Sequence, residues 1–289
     1  MGLKDKIENG VFAVLAEMEP PKGVAVSDLV SSAKRVKDHV DAFVVPEMSN
    51  AVMRMSSLGG AMVLQNEGLP TVFQINCRDR NRLAIQGDLL AAQALGIKTV
   101  MAVTGEDPSF GDHHQARPVY DINLLELIGT VERLNTGRDL AGIELNGTTD
   151  FLIGSTGEAG AKGKSTEMEV EEMIKRNAAG ARFFITSPIF DLKLLEPYQK
   201  RIDSRKMALI PTVMLLKSLG MARYIMRNLP HIHIPEEIID RIARAPDKVR
   251  ECLLIAGDLV RELKKQGSSG VYLSTLGWEN RLPEIIEGI

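Results

Sequence analysis

The sequence predicts an α/β fold, and within that class a single (β/α)8 TIM barrel that extends over residues 1–289 as one domain. Short apolar runs rich in β-branched residues alternate with longer amphipathic stretches along the chain, and eight of the runs have the length of strands. The length of 289 residues suits a barrel, for which about 250 residues is typical. No linker-like segment or internal repeat interrupts the alternation.

The elements are assigned by length and periodicity, because a short apolar run bounded by turn residues indicates a strand and a 3.6-residue period indicates a helix. The predicted strands are Phe12–Glu17, Ala42–Val45, Thr71–Ile75, Thr99–Val103, Gly142–Leu145, Phe183–Thr186, Ala208–Pro211 and Val271–Ser274. The predicted helices are Ser27–Val36, Ala51–Glu67, Arg82–Leu95, Ile122–Leu134, Thr166–Ala178, Leu192–Ile202, Ser218–Arg227, Glu236–Arg244, Asp247–Gln266 and Pro283–Glu287. We expect the apolar face of Asp247–Gln266 to cover the barrel rather than to dock on a membrane or a partner.

The alternative α/β architecture is an open, doubly wound sheet with a dinucleotide site. The segment Glu17–Gly23 after the first strand reads EMEPPKG, whereas a dinucleotide site places a Gly-x-Gly-x-x-Gly turn there. The barrel is therefore preferred. The glycine-rich segment Gly157–Gly163 is interpreted as a mobile loop that follows a strand of the same barrel.

Charge and composition exclude several function classes. The 35 basic and 38 acidic residues give a pI near 6.0 without a basic stripe, so nucleic acid is not expected as a partner. Cys77 and Cys252 are too few for an iron–sulfur cluster or an all-cysteine zinc site, and they suit a reducing compartment. The first residues are charged where a signal peptide is apolar, and no run is long enough to cross a bilayer. A soluble, cytoplasmic protein is expected.

Polar side chains follow several predicted strands, and the ends of parallel barrel strands share one face. The most informative segment is Thr104–His114, which reads TGEDPSFGDHH directly after an apolar strand. It is either part of an active site or a solvated turn before the next helix. The polar residues expected at this mouth of the barrel are Glu17, Glu19, Glu47, Gln74, Asn76, Arg78, Asp79, Thr104, Glu106, Asp107, Thr186 and Ser187.

Glu17 is the best candidate for a general acid. A carboxyl group at the end of a barrel strand can be partly desolvated, which raises its pKa toward neutrality. The following pair, Pro20 and Pro21, stiffens the loop and holds the preceding residues extended. The alternative is a solvated glutamate with a structural role.

The segment Cys77–Arg82 places three arginines and an aspartate directly before a helix. Free N–H groups there can bind an anion such as a phosphate, but a helix cap with a network of Arg–Asp ion pairs is the slightly favoured interpretation. Cys77 is expected to be a packed residue and not a nucleophile, since no histidine is apparent beside it.

The histidines form two short pairs, at His113 and His114 and at His231 and His233. No third set of ligands has a recognisable metal-binding spacing, so no metal is expected. The second pair is interpreted as lining the entrance to the helix that begins near Glu236.

Several motifs occur together in the chain. They are EMEPP at 17–21, CRDRNR at 77–82, LGI at 95–97, AVTGEDP at 102–108, AGARFFIT at 179–186, IP at 210–211, GMARY at 220–224 and IPE at 234–236. In order and spacing they resemble the methylenetetrahydrofolate reductase family. The resemblance covers essentially the whole chain and is closest to the short, single-domain branch of bacteria and archaea, including acetogens.

This resemblance implies a barrel that carries a flavin, FAD in preference to FMN, at its C-terminal mouth. It implies interconversion of 5,10-methylenetetrahydrofolate and 5-methyltetrahydrofolate, or of a related pterin, by hydride transfer from N5 of the reduced flavin. That reaction belongs to one-carbon metabolism and methionine biosynthesis. NAD(P)H or a partner subunit would supply the electrons, and a homo-oligomer or an electron-transfer partner is expected.

By the same resemblance, Glu17 matches the glutamate that assists protonation of the substrate at N10. Glu106 matches an acidic residue near the pterin and the flavin, with Asp107 as the neighbouring candidate, and Ser187 and Leu219 fall on further substrate contacts. The positions that match flavin contacts are Gln74, Val103, Thr104, Gly105, Tyr120, Asp121, Glu169 and Arg176, the last in place of a more usual lysine.

Three positions depart from the family pattern. Ser187 stands where many relatives have a pterin-binding glutamine, Pro46 where a threonine near the flavin is common, and Glu158 in a segment where relatives often have Asn-Pro or His-Pro. Two hypotheses therefore remain: a flavin-dependent reductase of a methylene-pterin, or a divergent subunit that binds a partner or a pterin or corrinoid-pathway component without this turnover.

Overall fold

A computed structural model describes residues 1–160, 165–229 and 231–287. In this part of the chain, eight parallel strands close into a barrel in sequence order, and the eighth strand pairs with the first. The strands are β1 Ala13–Glu17, β2 Ala42–Val45, β3 Thr71–Asn76, β4 Thr99–Val103, β5 Leu152–Gly157, β6 Phe183–Pro188, β7 Ala208–Met214 and β8 Gly270–Ser274. The predicted (β/α)8 barrel is confirmed.

The helices other than α1, which precedes β1, follow the strands and cover the barrel from outside. They are α1 Leu3–Glu8, α2 Ser27–Val36, α3 Ser57–Asn66, α4 Arg82–Ala94, α5 Leu124–Asn135, α6 Thr166–Ala178, α7 Glu196–Gln199, α8 Leu219–Asn228, α9 Glu236–Arg244, α10 Lys248–Lys265 and α11 Leu282–Ile286. The helix predicted as Asp247–Gln266 corresponds to α10, which buries Leu253, Val260 and Leu263 in the core between barrel and helices. Its predicted covering role is confirmed. No helix among the described residues has the length and apolarity that a membrane span requires.

The interior of the barrel is a packed core and not a pore. Alternate strand residues, among them Leu15, Met101 and Ile210, form an apolar cluster separate from the one beneath the helices. Leu3 and Ile7 of α1 join this interior cluster. Helix α1 is not among the predicted helices, because it is shorter than the periodic patterns that indicate a helix. Because the interior is apolar, polar side chains for a binding site are expected at the carboxyl ends of the strands.

The predicted fifth strand, Gly142–Leu145, is wrong, because β5 is Leu152–Gly157. Residues 142–145 lie in a turn in which Glu144 bridges Arg138, and the Ile143 side chain is 65% exposed. The true strand contains Gly154, Ser155 and Thr156, which weaken the apolar pattern. A Cβ at Gly154 would lie 2.1 Å from the Phe183 ring, so packing requires glycine there.

Two predicted helices also differ from the structure. The helix predicted from Ala51 begins at Ser57, because residues 48, 50 and 51 adopt positive φ angles that a helix does not allow and Ser56 caps α3. The helix predicted as Leu192–Ile202 is divided into a 3-10 turn and the short α7. In the loop predicted at Gly157–Gly163, Gly157 ends β5, and residues 161–163 lie outside the described residues.

Candidate active site

Glu17 is the last residue of β1, and its carboxylate is held by two hydroxyl groups of β8. The Tyr272 phenol donates to Oε2 over 2.7 Å, and the Ser274 hydroxyl donates to Oε1 over 3.1 Å. Burial raises the pKa of Glu17, against the opposing effect of the two hydrogen bonds. The structure therefore places a carboxyl group with a raised pKa at the C-terminal end of the barrel.

Further charged groups surround Glu17. Burial lowers the pKa of Lys217, which lies after β7 with its ammonium 5.0 Å from the centre of the Trp278 ring. Burial raises the pKa of Glu279, whose carboxylate accepts a hydrogen bond from the Gly277 N–H. Glu19 is paired with Arg54 over 2.9 Å. Glu17 therefore belongs to a cluster in which carboxyl groups outnumber cations.

A cavity of about 650 Å³ opens at the centre of the mouth. Its described lining comprises Gln74, Met101, Thr156, Gly157, Glu158, Ile185, Thr186, Ser187, Pro188, Thr212, His231, Tyr272 and Ser274. Glu17 is not among these residues, although its two hydrogen-bond partners are. The cavity thus approaches the Glu17 carboxylate through the hydroxyl-bearing residues of β8.

A second cavity of about 290 Å³ adjoins the first on the side of β2 to β4. Gln74 and Thr156 line both cavities. The backbone N–H of Glu47 donates to Gln74 Oε1 over 2.7 Å. This bond uses the oxygen of the Gln74 amide, and the amide nitrogen has no acceptor among the described residues. The other residues that line the second cavity are Glu47, Ser49, Val103, Thr104, Gly105 and Glu106.

The loop after β4 is held against the end of β3 by a buried arginine. Arg78 is 3% exposed and binds Asp79 through two hydrogen bonds of 2.6 and 2.8 Å. It also donates to the backbone oxygen of Glu106 over 3.1 Å. Gly105 packs so closely on Arg78 that an added Cβ would lie 2.9 Å from the arginine Cβ, at a φ of +86°. Glycine is therefore required where the chain passes the second cavity.

The structure separates the two acidic candidates of this loop. The Glu106 side chain is 53% exposed and lies 3.8 Å from Arg78 Nη1. Hydrogen bonds from the Ser109 side chain and then from its N–H lower the pKa of Asp107, and the bond from the N–H, over 2.8 Å, caps the 3-10 turn at Pro108–Phe110. Of the two, Glu106 lines the second cavity.

The helix-cap interpretation of the segment at 77–82 is confirmed. Asn81 accepts hydrogen bonds from Leu83 N–H and Ala84 N–H, both at 3.1 Å, at the start of α4. The segment's arginines pair with carboxylates at 2.6 to 3.1 Å, namely Arg78 with Asp79, Arg80 with Glu47 and Asp88, and Arg82 with Asp121. Cys77 is buried, and burial raises the pKa of its thiol to about 11, so the prediction of a packed residue holds.

The remaining positions that match flavin contacts brace the backbone of the mouth. Tyr120 has a φ of +41°, and its phenol donates to the Gly105 oxygen over 3.2 Å. The buried Glu169 of α6 accepts from the Glu158 N–H over 2.9 Å, and Arg176 donates to the Thr156 oxygen over 2.8 Å. Glu169 and Arg176 thus fix the end of β5.

The predicted substrate contacts occupy different surroundings. Ser187 lies near the end of β6 and lines the central cavity. The Thr186 hydroxyl donates to the Ser187 backbone oxygen over 2.7 Å. Leu219 is the first residue of α8 and packs against the outer apolar core. Pro46 is buried between β2 and Glu47. Only Ser187 of these three lines a cavity described above.

The first histidine pair helps to join loops of the mouth. Asp112 accepts from the Met53 N–H over 2.9 Å, lies 2.8 Å from His113 Nδ1 and is ion-paired with Lys22. His114 Nδ1 is 3.1 Å from the Ser109 backbone oxygen. Across the described ranges, no group of three or more candidate ligands lies in an arrangement suited to a metal ion.

Tyr272 and Ser274, the two residues that contact Glu17, are not among the site residues predicted from the sequence. Both lie in the predicted strand Val271–Ser274, two positions apart, and so point to the same side of that strand. Their neighbours Val271 and Leu273 belong to the core beneath the helices, which leaves the barrel interior for the hydroxyls. The alternation of apolar and hydroxyl-bearing residues along this strand is a signal from which Tyr272 and Ser274 could have been identified.

Comparison with known proteins finds a relative by sequence. A curated relative, methylenetetrahydrofolate reductase 2 of Schizosaccharomyces pombe (strain 972 / ATCC 24843), is 21% identical over 258 residues, which cover 85% of this chain. The match spans 39% of the yeast protein, so this chain corresponds to well under half of that relative's length.

Solved structures are similar in fold. A protein of Clostridium thermocellum, described as binding two copies of 5-methyl-5,6,7,8-tetrahydrofolic acid, aligns with a TM-score of 0.65 at 12% identity over 98% of this chain and 96% of its own. The EDTA monooxygenase EmoA of Chelativorans sp. BNC1 aligns with a TM-score of 0.53 at 10% identity, over 96% and 92% of the two chains.

The assignment to a family rests on a sequence profile rather than on these fold similarities. The profile described as methylenetetrahydrofolate reductase matches residues 2–289. The match includes every strand of the barrel and both cavities at its mouth. The chain belongs to the methylenetetrahydrofolate reductase family.

Proposed function

We propose that this protein is a flavin-dependent oxidoreductase that interconverts 5,10-methylenetetrahydrofolate and 5-methyltetrahydrofolate, with Glu17 as the general acid. The observation that carries the proposal is the position of Glu17 in a chain of this family: it ends β1 beside the central cavity, hydrogen-bonded to Tyr272 and Ser274. The yeast relative's name and the bound 5-methyltetrahydrofolic acid of the Clostridium protein support the choice of a folate substrate.

The raised pKa of Glu17 suits the proton chemistry that this reaction requires. The bond between N10 and the methylene carbon breaks only if N10 accepts a proton, so the site needs an acid that retains its proton near neutral pH. Burial shifts Glu17 in that direction by disfavouring the ionised carboxylate. In the opposite direction the same carboxylate would take the proton back.

The residues at the mouth fit a flavin. The two adjoining cavities meet at Gln74, whose amide nitrogen has no acceptor among the described residues and could donate to a ring nitrogen or carbonyl oxygen. The backbone at Val103–Gly105 would hold the ring against β4, while Tyr120 supports that loop. When bound, the flavin supplies the hydride. Its form, FAD in preference to FMN, and its donor, NAD(P)H or a partner subunit, remain parts of the proposal.

The phosphate-bearing part of the cofactor would have to lie beside groups that are already paired. Arg176, which replaces a more usual lysine, donates to the Thr156 oxygen, and Asp121 is bound by Arg82. We propose that these residues hold the cofactor mainly through the backbone they support. The exposed Glu158 lines the central cavity.

The pterin would occupy the central cavity. Ser187, Thr186 and Thr212 provide hydroxyl and backbone groups along one wall, and Glu106 contributes a carboxylate in the adjoining cavity. A serine hydroxyl cannot make the two-point contact of a glutamine amide with a pterin edge. We therefore expect this protein to bind the pterin more weakly, or through different contacts, than relatives that have glutamine in place of Ser187.

The proposal is tested by following the two half-reactions separately in wild type and Glu17→Gln. The amide keeps the shape of the side chain but has no acidic proton, so flavin content and flavin reduction should persist. The reoxidation of reduced flavin by 5,10-methylenetetrahydrofolate should slow by about 100-fold or more. Glu67→Gln, which removes an exposed carboxylate paired with Lys34, is the control. Unchanged reoxidation in Glu17→Gln would exclude Glu17 as the acid.

A further inference from the structure

We propose that Ser274 passes the proton from Glu17 to the substrate, and that Tyr272 keeps this proton on the Glu17 oxygen that faces Ser274. The proposal rests on the function proposed above and adds two residues to it. Ser274 would be a catalytic residue, because its hydroxyl would touch N10. Tyr272 would be a positioning residue that acts through Glu17.

The two oxygens of Glu17 have different partners. Oε2 accepts the shorter bond, 2.7 Å, from the Tyr272 phenol, and Oε1 accepts a bond of 3.1 Å from Ser274. Both oxygens are therefore occupied by hydroxyl groups of one strand. A substrate nitrogen that approached Glu17 directly would meet oxygens that are already hydrogen-bonded to β8.

The shape of the mouth points to the same pathway. Tyr272 and Ser274 line the central cavity, whereas Glu17 is not among its described lining residues. Ser274 is the last residue of β8 and lies one position further toward the mouth than Leu273, which pairs with Ala16 of β1. A ligand in the cavity therefore lies beside the β8 residue that also contacts Glu17 Oε1.

Tyr272 makes the two oxygens of Glu17 inequivalent. Its buried phenol has a pKa raised well above the usual value, through burial and then the neighbouring Glu17, so it remains a donor at all working pH values. A protonated carboxyl group carries its hydrogen on one oxygen only. With Oε2 engaged as an acceptor, the hydrogen belongs on Oε1, where Ser274 is the partner.

The hydroxyl of Ser274 can accept one hydrogen bond and donate another at the same time. When Glu17 is protonated, its Oε1 hydrogen is donated to Ser274 Oγ, and the serine hydrogen is free to turn toward the cavity. The bond between N10 and the methylene carbon then breaks, its electron pair remains on N10, and the lone pair of N5 forms a second bond to the methylene carbon. N10 takes the serine hydrogen, Ser274 takes the Glu17 hydrogen, and Glu17 becomes a carboxylate.

The first test uses the purified protein and requires no turnover. The C=O stretch of the protonated Glu17 carboxyl is measured in infrared difference spectra between low and high pH, and is assigned by its absence in Glu17→Gln. Loss of the Ser274 acceptor should shift this band to higher frequency in Ser274→Ala, whereas Ser274→Thr should restore it. A band that does not move in Ser274→Ala would overturn the relay.

The second test is a single turnover of the reduced protein with 5,10-methylenetetrahydrofolate. Ser274→Ala should slow flavin reoxidation by about 100-fold, as expected for a lost proton-transfer group, with little change in pterin affinity. Ser274→Thr should recover most of the rate. Thr275→Val, which removes the adjacent buried hydroxyl that has no partner among the described residues, should leave the rate unchanged. The solvent isotope effect should indicate two protons in motion in wild type.

The outcomes separate the relay from the proposed function. If wild type and Ser274→Ala turn over at rates within about twofold, Glu17 delivers its proton directly and the relay is wrong, while the proposed function stands. If wild type binds flavin but exchanges no hydride with the pterin, Ser274→Ala and Ser274→Thr will be inactive as well. That result would overturn the proposed function together with the relay. A slow Ser274→Ala that Ser274→Thr rescues would support both.

Discussion

The hydrogen bond between the Tyr272 phenol and Glu17 Oε2 joins the last strand of the barrel to the first. Residues 15 and 272 are partners in the parallel pairing of β1 and β8, so the phenol extends past one residue pair to reach the carboxylate. Closure of the barrel therefore brings together two groups that are 255 positions apart in the chain. The acid proposed for the reaction exists in this form only when the barrel is closed.

Tyr272→Phe should change the pH dependence of the pterin half-reaction more than its KM. The phenol stabilises ionised Glu17, so its removal raises the Glu17 pKa further, and the limb of the rate profile that belongs to Glu17 should move to higher pH. The measurement is the reoxidation rate across pH. Tyr198→Phe, a buried tyrosine of α7, is the matched control, and an identical shift there would remove the specific role of Tyr272.

The raised pKa of Glu17 also predicts how stability depends on pH. Because the folded-state pKa lies above the unfolded value, neutral Glu17 favours folding at low pH, and this contribution is lost as pH rises through the folded-state pKa. Urea denaturation at several pH values should show a decline in the free energy of unfolding that is smaller in Glu17→Gln. Equal slopes in the two proteins would contradict a folded-state pKa of Glu17 that burial raises.

Gly154→Ala should destabilise the barrel. The new Cβ would lie 2.1 Å from the Phe183 ring, and overpacking of a core costs about 1–3 kcal/mol. Gly129→Ala in α5, where no atom lies within 4 Å of an added Cβ, should instead be neutral or stabilising by up to about 1 kcal/mol. Denaturant titration measures both, and Phe183→Leu should partly rescue Gly154→Ala. Equal stability of the two alanine variants would contradict the packing.

Glu106→Gln and Asp107→Asn should separate chemistry from loop structure. Glu106 lines the second cavity, so its amide variant should alter pterin affinity or the half-reaction rate. Asp107 caps a 3-10 turn through the Ser109 N–H, a bond that an asparagine oxygen can also accept, so its amide variant should leave pterin affinity unchanged and lower stability only slightly. Pterin titration and thermal unfolding distinguish the two. A larger loss of pterin affinity in Asp107→Asn would reverse the assignment.

The barrel was predictable because its strands are apolar and short and its helices are periodic. The position of β5 was predicted wrongly for a physical reason. Gly154 makes room for the Phe183 ring, and Ser155 and Thr156 are polar, so the strand lacks the apolar pattern by which the others were recognised. The N-terminal α1 was missed because it is short and is stabilised by its contacts with the barrel interior.

The candidate site was predictable in part. Glu17 and Gln74 follow from their positions near the ends of predicted strands, and the structure places both at the mouth. The contacts of Tyr272 and Ser274 with Glu17 could not be predicted from the sequence. They depend on which face of β8 points inward, and closure of the sheet decides that face. Pairings such as Arg78 with Asp79, which hold the β4 loop, depend on three-dimensional contacts that no local pattern encodes.

The most direct test of the proposed function is the visible absorption spectrum of the purified protein, followed by anaerobic addition of 5-methyltetrahydrofolate. We expect a yellow protein whose band near the oxidised flavin maximum bleaches, because the pterin returns a hydride to the flavin. A yellow protein that does not bleach with this pterin would contradict the proposed substrate. A colourless protein that cannot be reconstituted with FAD or FMN would contradict the flavin chemistry and favour a divergent, non-reductase member of the family.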